Sequence, residues 1–411
     1  MKIAFVSKEC PPSPRSSGIG AYVWETGRAL ANLGHTVTIV AASDDRQRST
    51  STPAPQLTVI RLPDDEIDVG KRNIVARTLR PPVEKGLAYR SRVAACLADL
   101  ANQGRADIVE FPGFRGESYV WLDRPCRLPM VVRMHGFTAG IDTDWKKHAS
   151  ATGRWLNQCE LREVLTADAV TAVSENQAAL VRARFGAARA RVVHNSIDTT
   201  WWHELSLRAQ QEFDIADILF AGGLVAKKGI FVLLKAAARL RENGWRGRLV
   251  LAGRAYRDFE RFTRLRAAFG LKFPSWVVPL GTCPRERLAG FYRDVGVCCF
   301  PSLTDPFPYT CLEAMACGGV VVGSAETGMA EMLTEKSGFI VPPGDVGGLS
   351  TALASALTLS AIKRADMKEA ARQRIRECFD HRVIIPKLVS IYRETIESSN
   401  TQPSLLIETA R

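Results

Sequence analysis

Short runs of continuously apolar residues, each closed by Gly, Pro or Ser, recur along this chain with helix-length stretches between them. Residues 2–7 (KIAFVS), 36–42 (TVTIVAA), 106–110 (ADIVE), 130–134 (MVVRM), 167–174 (ADAVTAVS) and 191–194 (RVVH) carry the pattern through the first half. It restarts at 217–221 (DILFA), 248–252 (RLVLA), 276–281 (WVVPLG), 295–300 (VGVCCF) and 320–322 (VVV). Strands that are apolar throughout, not alternately, belong to parallel sheets covered on both faces, and parallel strands need crossover helices. An α/β chain is therefore expected. Its 411 residues exceed what one core holds, so two domains are expected, 1–204 and 205–380.

Composition narrows the partners. No apolar run reaches the roughly eighteen residues a membrane span needs. The start, MKIAFVSKECPPSP, has too short an apolar core for a signal peptide and is expected to be a strand and a loop. Ten scattered cysteines without metal-ligand spacing suggest reduced thiols in a cytoplasmic protein and no metal site. A net charge of +12 suits an anionic partner: a nucleotide, a lipid phosphate, an acidic glycan or a membrane surface. No recognisable module supports nucleic acid. Residues 71–92 are locally basic with interleaved apolar side chains, which suits a solvated or substrate-facing surface, or the interface of an inner membrane.

The richest stretch is 305–319, DPFPYTCLEAMACGG. It follows the apolar run closed by Pro301 and Ser302. Residues 309–317 have helical composition, Pro308 suits the first helical position, and Gly318-Gly319 ends the helix. Such a helix starts at the carboxyl edge of its sheet, where open α/β sheets bind ligands. Asp305 stands too far ahead of Pro308 to cap the helix and is expected to face a ligand. Glu313 lies among apolar neighbours, where a carboxylate is costly unless hydrogen-bonded. Hydroxyl groups of a ribose or sugar would satisfy both acids without a cation; the plainer alternative is a solvated loop Asp and an exposed helix Glu.

Other candidates sit at corresponding strand ends. Gly18-Ile19-Gly20 occupies a strand-to-helix turn, where glycine admits close backbone approach to an anion, although Val23 stands at the place of a third glycine. A plain tight turn is the alternative. His135 follows the strand 130–134, poised either for a site or for a satisfied core turn. Gly222-Gly223-Leu224 and Lys227-Lys228-Gly229 follow the strand 217–221, and Arg254 follows 248–252.

Asp305-Pro306-Phe307 followed by Leu312-Glu313-Ala314-Met315-Ala316-Cys317-Gly318 resembles the paired-acid motif of retaining glycosyltransferases of family 4, in the GT-B group. The resemblance spans about residues 1–396 and is most specific over 217–345. It implies two doubly wound, Rossmann-like domains facing a central cleft, the acceptor on the first and a nucleotide-sugar donor on the second. Residues 381–398 would return to the first domain as a helix, and 399–411 form a mobile tail. The implied reaction is metal-independent, retaining transfer of a sugar, UDP-linked foremost, to a hydroxyl acceptor, without a cofactor. Among the site residues, Asp305 and His135 would contact the sugar, Glu313 the ribose, and Lys228 the diphosphate. Gly18 and Gly20 would border the phosphates and the acceptor. Pro308, Tyr309 and Thr310, at the helix start, complete the donor set with Gly223 and Arg254.

The chain departs from that family in several places. Asp305 replaces Glu, Pro308-Tyr309 replaces Gly-Leu, Ser196 replaces Gly in His194-Asn195-Ser196-Ile197-Asp198, and Met329 replaces a Gly. The gravest is Gly223, where the family has a diphosphate-binding Arg. Lys228 alone is not equivalent to the pair, since Arg is a two-pronged phosphate ligand and Lys a point charge. Either Lys227 or Arg254 compensates, or the protein is an inactive relative serving as a binding subunit. A dinucleotide-dependent oxidoreductase, suggested by GIG, is disfavoured by the missing third glycine and the doubled α/β pattern.

Overall fold

The computed structural model describes residues 1–13, 18–64, 82–125, 127–137, 151–186, 190–268 and 274–401. Residues 71–81 of the basic stretch and the end of the tail lie outside them. The chain divides into two compact units, Met1–His194 with Ile384–Arg411, and Asn195–Val383.

The first unit contains β1 (Lys2–Val6), β2 (Thr36–Ala42), β3 (Ser49–Ala54), β4 (Leu57–Leu62), β5 (Ile108–Pro112), β6 (Met130–Met134), β7 (Ala169–Ala172) and β8 (Arg191–Val192). They form one sheet in the order β3-β4-β2-β1-β5-β6-β7-β8, parallel except where β3 runs against β4. Its helices are α1 (Gly18–Asn32), α2 (Pro82–Asn102), α3 (Ala151–Thr166) and α4 (Glu175–Phe185). Phe5, Val109, Val132 and Ala172 show why the apolar runs became strands, each being almost wholly buried. α4 is closed at both ends: Ser174 accepts from the Gln177 N–H (3.1 Å), and Gly186 turns left-handed at φ 62°. α1 begins at Gly18, so the two glycines lie in its first turn and not in a turn ahead of it.

The second unit contains α5 (Thr199–Arg208), β9 (Ile218–Ala221), α6 (Ile230–Glu242), β10 (Leu249–Ala252), α7 (Arg257–Ala268), β11 (Val277–Gly281), α8 (Arg285–Asp294), β12 (Val297–Phe300), α9 (Tyr309–Ala316), β13 (Val321–Ser324), α10 (Met329–Met332), β14 (Gly338–Val341), α11 (Val346–Leu357) and α12 (Ala361–Cys378). Its sheet is wholly parallel, in the order β11-β10-β9-β12-β13-β14. Two strands, β10 and β11, step one way from β9, and the chain then crosses to β12 and steps the other way to β13 and β14. That is the doubly wound order, and the crevice it leaves lies outside the carboxyl ends of β9 and β12.

The boundary between units falls ten residues before the one expected, after His194. Residues 195–204 join the second unit because their contacts are there. The Asn195 side chain donates to the Phe307 carbonyl (3.0 Å), the Thr199 N–H donates to Asp380 (3.3 Å), and Trp202, 1% exposed, packs on Tyr292. The last helix, α13 (His381–Thr401), starts in the second unit and belongs to the first from Ile384 onward. Among the described residues no single helix is long and apolar enough to cross a membrane. Truncating a buried Trp costs about 3–5 kcal/mol. Trp202→Ala should therefore lower the unfolding free energy of the second unit by that much, read from chemical unfolding.

Candidate active site

The crevice of the second unit is shaped by two loops pressed together, one after β9 and one after β12. Gly229 caps α6 in the left-handed region (φ 73°), and a Cβ there would lie 1.8 Å from the Pro301 carbonyl oxygen. Only glycine fits. One residue pair further, the Leu303 N–H donates to the Lys227 carbonyl (2.8 Å). This registration delivers the Lys228 ammonium onto the Asp305 carboxylate, a short charge-assisted contact. Asp305 is 8% exposed. It was expected to face a ligand without a cation, but the structure gives it one. The two strand ends flanking the reversal converge, so a cation on one loop reaches an acid on the other. Lys228 remains partly open to solvent.

Gly223 and Arg254 are brought to the same edge. The Leu224 N–H donates to the Arg254 carbonyl (2.8 Å), tying the loop after β10 to the loop after β9. Gly253 sits so close to Gly222 that a Cβ would meet its carbonyl oxygen at 1.8 Å. Gly223 itself is not in the left-handed region. The exposed Tyr256 ring fills the space beside it, 3.0 Å from where a Cβ would be, with the Arg254 guanidinium 6.0 Å from that ring. The place of the absent arginine is thus bordered by Arg254 and partly occupied by Tyr256.

Beyond Asp305 the chain enters α9. Pro308 is extended (φ −74°, ψ 127°) and is the N-cap, one position ahead of the first helical residue at which it was expected. Tyr309 and Thr310 open the helix, whose N-terminus favours an anion. Glu313, one turn in, is 8% exposed and accepts from the Tyr292 hydroxyl (3.1 Å). The exposed-glutamate alternative does not hold. Gly328 crowds the Pro306 carbonyl, and its N–H donates to the Asp305 carbonyl (3.0 Å), so the acid's backbone is fixed from the β13 side as well.

In the first unit, His135 directly follows β6 and is half-buried. Its ring lies against Tyr22 of α1, centroids 4.7 Å apart and tilted 59°. Burial, and then the charge of Arg133, hold its pKa well below the ordinary histidine value. The imidazole is therefore neutral, a donor and an acceptor at once. Gly18, with nothing within 4 Å of a built Cβ, and the buried Gly20 open α1 at the carboxyl end of β1. Three residues around His135 went unremarked in the sequence: Tyr22, Glu110 and Arg133. The signal was there, since a charge inside an otherwise apolar buried strand must find a partner. An ordinary histidine is half protonated near pH 6.5. His135 should stay neutral there and protonate only at markedly lower pH, which NMR titration of the imidazole will show.

Two family models match this chain, Glycosyl transferases group 1 over residues 207–374 and Glycosyltransferase Family 4 over 16–201. Glycogen synthase of Mycobacterium tuberculosis is 26% identical over 410 residues, covering 95% of this chain and 94% of that protein. D-inositol 3-phosphate glycosyltransferase of Kribbella flavida is 28% identical over 380 residues, covering 85% and 84%. The solved structure of sucrose-phosphate synthase from Thermosynechococcus elongatus superposes with a TM-score of 0.74 at 22% identity, covering 96% of this chain and 99% of that one. With the doubly wound sheet of the second unit and the Lys228, Asp305 and Glu313 cluster at its carboxyl edge, the chain belongs to the group 1, family 4 glycosyltransferases and has their GT-B fold.

Proposed function

We propose that this glycosyltransferase moves a sugar from a UDP-linked donor to a hydroxyl of an anionic acceptor, with retention of configuration and without a metal ion. The observation that carries the reading is the Lys228 ammonium held in the crevice between β9 and β12, beside the opening turn of α9. When the bond from the sugar's anomeric carbon to the diphosphate breaks, negative charge grows on the leaving phosphate. A fixed cation and a helix N-terminus are the groups that stabilise such charge, most strongly away from bulk water. Asp305 holds Lys228 in place and, with neutral His135, positions the sugar hydroxyls. Glu313, kept buried by Tyr292, takes the ribose hydroxyls. Arg254 supplements Lys228 where Gly223 leaves no side chain. The net charge of +12 favours an acceptor that is itself anionic or is presented on an anionic membrane surface, and the names of two of the similar proteins include a phosphate.

Thermal shift against UDP-, ADP- and GDP-glucose, followed by nucleotide release, tests the donor. A true donor at 100 times its dissociation constant adds about 2.7 kcal/mol of stability. Absence of any shift or turnover across the panel would overturn the reading. Lys228→Ala should lower kcat by a factor on the order of 100, with the protein still folded. Glu313→Gln keeps the buried shape but loses charge-assisted bonds of about 1.5–3 kcal/mol each, so donor affinity should weaken roughly 10- to 100-fold.

Position 223 separates compensation from loss. Gly223→Ala requires only a small shift of the exposed Tyr256 ring, whereas Gly223→Arg brings a second guanidinium beside Arg254. The expected order of turnover is wild type, then Gly223→Ala, then Gly223→Arg. A gain in transfer by the arginine variant would show that the phosphate site lacks a cation.

A further inference from the structure

Tyr22 stands at the centre of a buried polar chain that the donor site does not account for. Its hydroxyl donates to Glu110 Oε1 (2.7 Å), and the Tyr392 hydroxyl donates to Glu110 Oε2 (2.7 Å). All three side chains are at most 2% exposed. Arg133, fully buried, stacks its guanidinium 4.2 Å from the Tyr22 ring centroid and donates to the Val193 carbonyl (2.7 Å). The Phe5 ring meets Tyr22 edge-on at 6.3 Å. Tyr22 is thus fixed by a hydroxyl anchor, a cation and an aromatic edge, while its ring lies against His135.

A core tyrosine needs one hydrogen-bond partner, not an ionisable one shared with a second tyrosine on a helix 370 residues away in sequence. Burying Glu110 among apolar strands is costly, and burial raises its pKa against the pull of Arg133 and the two hydroxyls. What that cost secures is the plane of one aromatic ring. We infer that Tyr22 is a positioning residue for His135: its ring sets the orientation of the imidazole, and Glu110 with Tyr392 keeps that ring in register. This rests on the proposed role of His135 at the donor sugar. Tyr22 touches no substrate in this scheme; it acts through His135.

The test uses the full-length protein and nucleotide release from UDP-glucose, or from whichever sugar nucleotide of the panel turns over. Tyr22→Leu removes the ring and should lower kcat about 10- to 100-fold, as a misplaced contact group does, with donor KM within about threefold of wild type. Tyr22→Phe keeps the ring and loses the anchor, so it should recover most of that loss, leaving a deficit of about fivefold. Tyr392→Phe should show the same small deficit. The diagnostic is the double variant: Tyr22→Leu with His135→Ala should be no slower than His135→Ala alone, because both act through one group. Melting temperatures of all variants separate loss of fold from loss of orientation, and Tyr22→Phe carries the test if Tyr22→Leu does not fold. If His135→Ala turns over like wild type, the histidine role fails and this inference falls with it. If His135→Ala is slow but Tyr22→Leu is not, or if the two losses multiply, the inference alone is overturned.

Discussion

A wholly parallel sheet whose strand order reverses once is the constraint on which the second unit depends. Because β9 pairs with β10 on one side and β12 on the other, the loops leaving the carboxyl ends of β9 and β12 meet at the reversal and border the crevice outside it. The donor groups proposed on this unit sit on that rim. The loop after β9 supplies Lys228, the loop after β12 supplies Asp305, and the helix that follows supplies Glu313. Backbone, not side chain, sets the registration. Gly229 against Pro301 and Gly253 against Gly222 permit approaches that a single methyl group would prevent.

The first unit solves a different problem. Its central strands carry two charges, Glu110 in β5 and Arg133 in β6, inside a core that would otherwise exclude them. Glu110 accepts from two tyrosine hydroxyls, and Arg133 donates through Nη2 to main-chain carbonyls and stacks on a ring face. The result is a rigid polar spine beside an otherwise ordinary apolar sheet. Beside it lies the half-buried His135, its pKa held well below the ordinary histidine value by burial and by Arg133.

Strands buried on both faces were legible because their apolar character needs no knowledge of neighbours; β1, β2, β6, β9, β10 and β12 lie within the expected runs, and β5 overlaps its run. The pair β3 and β4 was not. β3 is an exposed edge strand containing Pro53, and β4 reads LTVIRL, with Thr58 and Arg61 breaking its run, so neither shows a continuous apolar signature. α12 also went unread, its sequence being largely charged and its buried face narrow. In the site, the motif residues were legible as positions, and Glu313's burial followed from its neighbours. The partner of Asp305 was not, because Lys228 lies 77 residues earlier and only the strand reversal brings them together. The same holds for Tyr22, Glu110 and Tyr392, whose contacts span 88 and 282 residues. Long-range chemistry is written in topology before it is written in motif.

Gly223 shows what that topology permits. Gly223 on the loop after β9 and Arg254 on the loop after β10 lie on the same rim, their loops tied by a backbone hydrogen bond, since their strands are neighbours in the sheet. And Lys228 is not bare. Its ammonium already has a counterion, so a diphosphate entering this crevice on the proposed reading exchanges one anion for another. On that reading the Asp305 carboxylate, which places Lys228 before the donor arrives, would then turn to the hydroxyl groups of the sugar that the diphosphate carries.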